Sequence, residues 1–110
     1  MTKRIHEMNV YYDYGYKMVW YGKALKYMPY ASAGVCTDKD GTIHLVSYET
    51  TVITIDPEGW LSCTGTYSVT TRKHIGAFMK EYTPFGYYTA KECYERKQRI
   101  NIWNGRIEKL

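Results

Sequence analysis

Between residues 31 and 67, apolar and β-branched residues alternate with polar ones, whereas from residue 68 onward they recur every three to four positions. The first period belongs to half-buried strands and the second to an amphipathic helix. Two turn sequences punctuate the alternating region, Asp38 to Gly41 and Asp56 to Gly59. In each, an Asp side chain bonds downstream backbone and a Gly supplies φ > 0 at the end; Pro57 also presets φ in the second. The pattern predicts three antiparallel strands, 31–37, 42–55 and 60–67, joined as a meander. The middle one exceeds the usual strand length, so a bend or bulge is expected near Glu49, Thr50 and Thr51.

His74, Ile75, Phe78, Met79 and Tyr82 share one helical face, and Arg72, Lys73, Gly76, Lys80 and Glu81 fall mainly on the other. A helix over 68–82 follows, with Ser68 or Thr70 as its N-cap. Gly76 weakens such a helix by about 1 kcal/mol relative to Ala, so a close approach of its backbone to a neighbour is expected. Thr83, Pro84, Phe85 and Gly86 read as a turn. Thr89 and Glu92 then have capping-box spacing, which predicts a short second helix over 90–97. Asn104-Gly105 between two strand-like runs predicts a terminal β-hairpin. Nearer the N-terminus, residues 16–21 read as a strand and 22–28 as one or two helical turns ended by Pro29. The expected fold is α+β: a meander of about three strands packed by one amphipathic helix, plus a short second helix and a C-terminal β-hairpin, all in one domain, 1–110.

Composition adds little to this picture except in its aromatics. Hydrophobic residues are 45% and charged residues 24% of the 110, ordinary for a globular chain. Tyrosine is the outlier, 13 against two phenylalanines, an apolar ring with a polar end suited to surfaces buried on binding. Tyr11, Tyr12, Tyr14, Tyr16, Trp20 and Tyr21 crowd the N-terminal region, more aromatics than so small a core accommodates, and are the candidate partner-binding face. Net charge is +4, concentrated in the C-terminal half. Three cysteines at wide spacing, no apolar run after the N-terminal basic residues and no membrane-length apolar stretch predict a cytoplasmic protein without disulfides.

No motif specifies a chemistry. Cys36, Cys63, Cys93 and the histidines lack the short-range pairs of a structural zinc site, and Asp38 to Gly41 lacks the later ligands of a calcium loop, so no metal and no cofactor are expected. His74 stands near a helix N-terminus beside Ser68, Thr70, Thr71, Arg72 and Lys73, where an anion would be favoured; the alternative is a histidine hydrogen-bonded at the edge of the apolar face. Arg72, Lys73, His74, Lys80, Arg96, Lys97 and Arg99, with Tyr94 and Trp103 nearby, are the candidate anion or nucleic-acid contacts.

The stretch from Ser47 to Asp56, followed by Tyr67, Ser68, Thr70, Thr71, His74, Ile75 and Phe78, resembles small bacteriophage-encoded proteins in which a Tyr-x-Thr-x-Val strand precedes a Tyr-Ser-x-Thr-Thr-x-x-His-Ile helix start. The resemblance covers about a third of the chain and carries over no catalytic residue. It implies no known activity but points to a phage accessory protein, and many of these are compact, non-enzymatic binders of a host protein or nucleoprotein that block host defence, anti-CRISPR proteins included. Direct nucleic-acid binding by the basic C-terminal half is the alternative, and an enzyme using His74 the third class. Sequence sets no oligomeric state.

Overall fold

A computed structural model describes residues 9–13, 18–66 and 68–110, with side chains from residue 22 onward. Its eight strands are β1 (Asn9–Asp13), β2 (Met18–Ala24), β3 (Ala33–Thr37), β4 (Ile43–Ser47), β5 (Thr50–Ile55), β6 (Trp60–Cys63), β7 (Gln98–Asn101) and β8 (Ile107–Lys109); between β6 and β7 lie α1 (Val69–Tyr82) and α2 (Tyr87–Glu95). All pair antiparallel in one sheet, in the order β1 through β8.

This corrects the expected architecture: α+β holds, but three strands and a separate hairpin do not. The long middle strand is two strands, since Ser47 pairs with Thr50 across a two-residue turn at Tyr48 and Glu49. That turn needs φ > 0 at its first central residue, a position favouring Gly or Asn; Tyr48 takes it at φ 56, so strand length pointed to an irregularity near Glu49 to Thr51 but no turn residue marked a full break. Tyr48 N–H is held by Ser32 C=O at 2.8 Å. The expected helical turns over 22–28 are absent: Gly22 to Ala24 continue β2, and Leu25 and Met28 form an isolated bridge. Gly22, at φ +76, is required there because a Cβ would sit 2.5 Å from Val35 O. The terminal hairpin exists as β7 and β8, but β7 pairs with β6 and merges it into the main sheet. Its turn is longer than Asn104-Gly105 alone: Asn101 N–H bonds Arg106 C=O, and Gly105 N–H bonds Asn101 C=O.

The two Asp-to-Gly turns form as expected. Gly41 N–H bonds Asp38 C=O, Gly59 N–H bonds Asp56 C=O, and both glycines have positive φ. Asp56 Oδ1 accepts from Glu58 N–H and Trp60 N–H.

Register fixes which side chains face the core. One cross-strand row runs Val35, Leu45, Ile53, Cys63; the next runs Ile43, Ile55, Leu61, Ile100, Ile107. A bulge between Leu45 and Val46 adds Val52 to the interior. The opposite face carries Cys36, His44, Thr54 and Ser62 in one row.

Helix α1 starts where Ser68 Oγ accepts from Thr71 N–H. Thr71, His74, Ile75, Phe78 and Met79, spaced three and four apart, are buried with Ala77, and the Phe78 ring stacks on Tyr82 at 4.8 Å. Removing a fully buried ring such as Phe78 costs about 3–5 kcal/mol. Thr83 ends the helix, its N–H and Oγ1–H both bonding Met79 C=O. Helix α2 begins three residues earlier than its capping-box spacing implies: Gly86 is the N-cap, without a side-chain bond. The early start lets half-buried Tyr87 pack beside α1, where a Cβ on Gly76 would lie 4.0 Å from Tyr87 Cβ. Tertiary packing thus overrides the local cap signal.

Candidate functional site

The first turns of α1 meet the β4–β5 hairpin through a chain of polar groups that runs from exposed Ser68 into the interior. Ser68 Oγ–H bonds Thr71 Oγ1 at 3.2 Å. Thr71 Oγ1 lies 3.0 Å from Ser47 Oγ, which lies 2.9 Å from His74 Nδ1. Each hydroxyl carries one hydrogen, so a chain begun by Ser68 runs Ser68 to Thr71 to Ser47 to His74, with Nδ1 as the final acceptor. The Tyr48 ring lies against the imidazole, 5.6 Å between centroids. Burial lowers the His74 pKa below the ordinary histidine value. Ser47 is 2% and His74 1% exposed. The cluster pins the hairpin to the helix, and its inner members Ser47 and His74 present almost no surface to a substrate or anion.

His74 therefore does not join Arg72 and Lys73, which are exposed on the opposite side of the helix. Lys80 is exposed in the last turn of α1, its Nζ 4.4 Å from the Tyr27 ring centroid. Arg96 and Lys97 are exposed after α2, with Arg96 3.6 Å from Glu92 in an i,i+4 pair. Arg99 is committed elsewhere: its guanidinium covers the Trp60 ring at 4.3 Å and donates to Glu108 Oε1 at 2.6 Å. The candidate contacts thus divide between α1 and the α2–β7 junction. For Tyr11, Tyr12, Trp20 and Tyr21 only backbone positions in β1 and β2 are described; Tyr14 and Tyr16 lie outside the described residues.

On the sheet face opposite the core, His44 Nε2 bonds Asp38 Oδ2 at 2.5 Å, and Cys36 is the cross-strand neighbour of His44. Burial, then the Asp38 charge, raise the Cys36 pKa, which disfavours the thiolate a nucleophile would need. Burial likewise raises Cys63 and pushes Cys93 up to about 11. Among the described residues no three His, Cys, Asp or Glu side chains gather as metal ligands. No described helix is long and apolar enough to cross a membrane.

Large exposed apolar side chains are spread over the described surface, Tyr30 (100% exposed), Tyr88 (76%) and Val69 (59%) among them, and three lie on the last hairpin. Trp103 is 70%, Ile107 56% and Leu110 71% exposed, and Tyr94, in the last turn of α2, accepts at its C=O from Lys97 N–H. Trp103 lies over Gly59, where a Cβ would stand 2.8 Å from the indole. Asn101 arranges this loop: its Nδ2–H bonds Glu58 C=O and its Oδ1 accepts from Trp103 N–H. Sequence reasoning noticed Tyr94 and Trp103 but passed over Ile107 and Leu110, which read as ordinary strand residues. Ser47, partner of His74 from 27 positions away, had no local signal at all.

The molecule is an α+β domain whose antiparallel sheet follows chain order and receives a helical hairpin between its sixth and seventh strands. It belongs to a family of unknown function (DUF8033), whose family model matches residues 13–102. No curated protein and no solved structure matches the chain.

Proposed function

We propose that the protein is a non-enzymatic binding domain that docks on another protein. The observation carrying this reading is the exposure of Trp103, Ile107 and Leu110, each more than half exposed, along the last hairpin of the sheet. An indole and large aliphatic side chains left in water gain from burial against a partner. Among the described residues, buried His74 and its hydroxyl partners serve packing, which supports binding over catalysis. The narrower form, implied by the phage resemblance, is inhibition of a host defence protein such as a CRISPR effector, with the tyrosine-rich N-terminal strands as a further contact face.

Affinity capture from bacterial lysates tests the reading. The wild-type protein is expected to retain a stoichiometric partner that Trp103→Ala or Leu110→Ser loses; no such partner across plausible hosts sinks it. The second reading, nucleic-acid binding, draws on the exposure of Arg72, Lys73, Lys80, Arg96 and Lys97. It requires oligonucleotide affinity that falls steeply with salt as counterions are released; no affinity at low salt removes it.

A further inference from the structure

Resting on the binding-domain reading, we infer that the open edge of β8 accepts an acidic, extended peptide strand in antiparallel register. The backbone polarity of β8 follows from two bonds. Asn101 N–H donates to Arg106 C=O, and Leu110 N–H donates to Lys97 C=O. Hydrogen-bonded pairs alternate along an antiparallel ladder, so Glu108, the Arg106 C=O and the Leu110 N–H turn toward β7, the Arg106 N–H donating to Asn104 Oδ1. Ile107 and Lys109 turn theirs outward. No described strand pairs on that side, so two donors and two acceptors face a strand-shaped vacancy.

Side chains specify what fits. Ile107 is the last member of the core-facing row Ile43, Ile55, Leu61, Ile100; the other four are buried or half-buried and Ile107 is not, because the row stops one strand too soon. An added strand with an apolar residue opposite Ile107 continues the row. Lys109 is on the same face, its Nζ donating to the Arg96 C=O at 3.4 Å with donors to spare, and Arg106 is on the other. The sole acid of β8, Glu108, is neutralised by Arg99 at 2.6 Å. The edge is therefore cationic, and Lys97 and Arg96 stand at its end. A lysine on a short edge strand ordinarily discourages strand addition; here it selects for an acidic strand. In antiparallel order the matching sequence is acidic, any residue, apolar, acidic, the four residues facing Lys109, Glu108, Ile107 and Arg106.

A second copy of this chain fits poorly. Pairing two β8 strands so that both outward residues bond sets Ile107 against Lys109 and Glu108 against Glu108, a like-charge pair that destabilises a sheet. Centring the pair on Ile107 instead leaves Lys109 opposite the Gly105 turn.

The probe is fluorescein-labelled Ser-Glu-Thr-Val-Asp-Thr-Ser, with Ser-Lys-Thr-Val-Lys-Thr-Ser as its charge-reversed partner, measured by anisotropy at low salt. The acidic peptide is expected to bind at least about tenfold tighter than the basic one and to slow amide exchange at Ile107 and Lys109. Ile107→Pro removes an outward donor that β7 does not use, so it should abolish binding while lowering the thermal midpoint only slightly through lost packing on Ile100; Lys109→Glu should reverse the peptide preference while keeping the edge. Equal binding of both peptides, no binding of the acidic one, binding that survives Ile107→Pro, or dimerisation lost in Ile107→Pro each overturns the inference. If the acidic peptide fails while the wild-type protein still captures a partner that Trp103→Ala loses, the edge assignment falls and the binding-domain reading stands.

Discussion

Acidification below about pH 6.5 should destabilise this protein through His74. The imidazole is 1% exposed, accepts at Nδ1 from Ser47 Oγ at 2.9 Å, and has its pKa lowered by burial alone. The unfolded chain holds the same group at about 6.5. Below that value the unfolded state binds a proton that the folded state resists, so this contribution is fully present above about pH 6.5 and is lost as pH falls toward the depressed folded value. One proton limits the slope to about 1.4 kcal/mol per pH unit. Urea unfolding at pH steps from 8 to 5, on wild type and His74→Asn, isolates the effect. Asn keeps a polar atom near the Nδ1 position without a titratable ring, so its stability should start lower and stay flatter over this range. Parallel losses in the two proteins would refute the assignment. His74→Ala, which removes the ring from a packed site and ends the hydroxyl chain without its acceptor, should cost about 2–4 kcal/mol at neutral pH.

Other substitutions probe the backbone and the thiols. Gly76→Ala should raise stability by about 1 kcal/mol in thermal unfolding, since its Cβ would meet nothing nearer than 4.0 Å; a loss would show that α1 and α2 approach more closely. Gly22→Ala should cost more than about 2 kcal/mol, because the clash is with the Val35 carbonyl of a core strand. Gly59→Ala should cost about 1–2 kcal/mol, less because exposed Trp103 can swing away, and indole fluorescence should shift to the red. Aromatic disulfide reagents should label half-exposed Cys36 first, slowly at neutral pH, and reach buried Cys63 and Cys93 only on unfolding; three equally fast thiols would contradict the burial.

Helix α1 was legible in the sequence almost to the residue, because cap, period and stop signal coincide at Ser68, Ile75 to Phe78, and Thr83-Pro84. The Asp-to-Gly turns were legible for the same reason, their geometry being local. The division of β4 from β5 was not. A turn that would ordinarily call for glycine is filled by Tyr48, and what compensates is tertiary: the Ser32 carbonyl and the His74 ring. The start of α2 was likewise decided by packing between Tyr87 and α1. The Ser47–His74 contact needed the hairpin to fold over the helix before it existed. Exposure at Ile107 depends on how many strands follow β7, which alternation within one strand cannot tell.

Chain-order strand pairing has a kinetic consequence. Neighbouring strands from β1 to β6 close through short loops, each at small entropic cost, so this part of the sheet can zip up in steps. Between β6 and β7 the chain must first lay down α1 and α2, and only then can Trp60 find Asn101 and Leu61 find Ile100. That one closure has the greatest sequence separation among the described strand pairs. It should set the folding rate, and substitutions at Leu61 or Ile100 should slow refolding more than equally costly ones in β4.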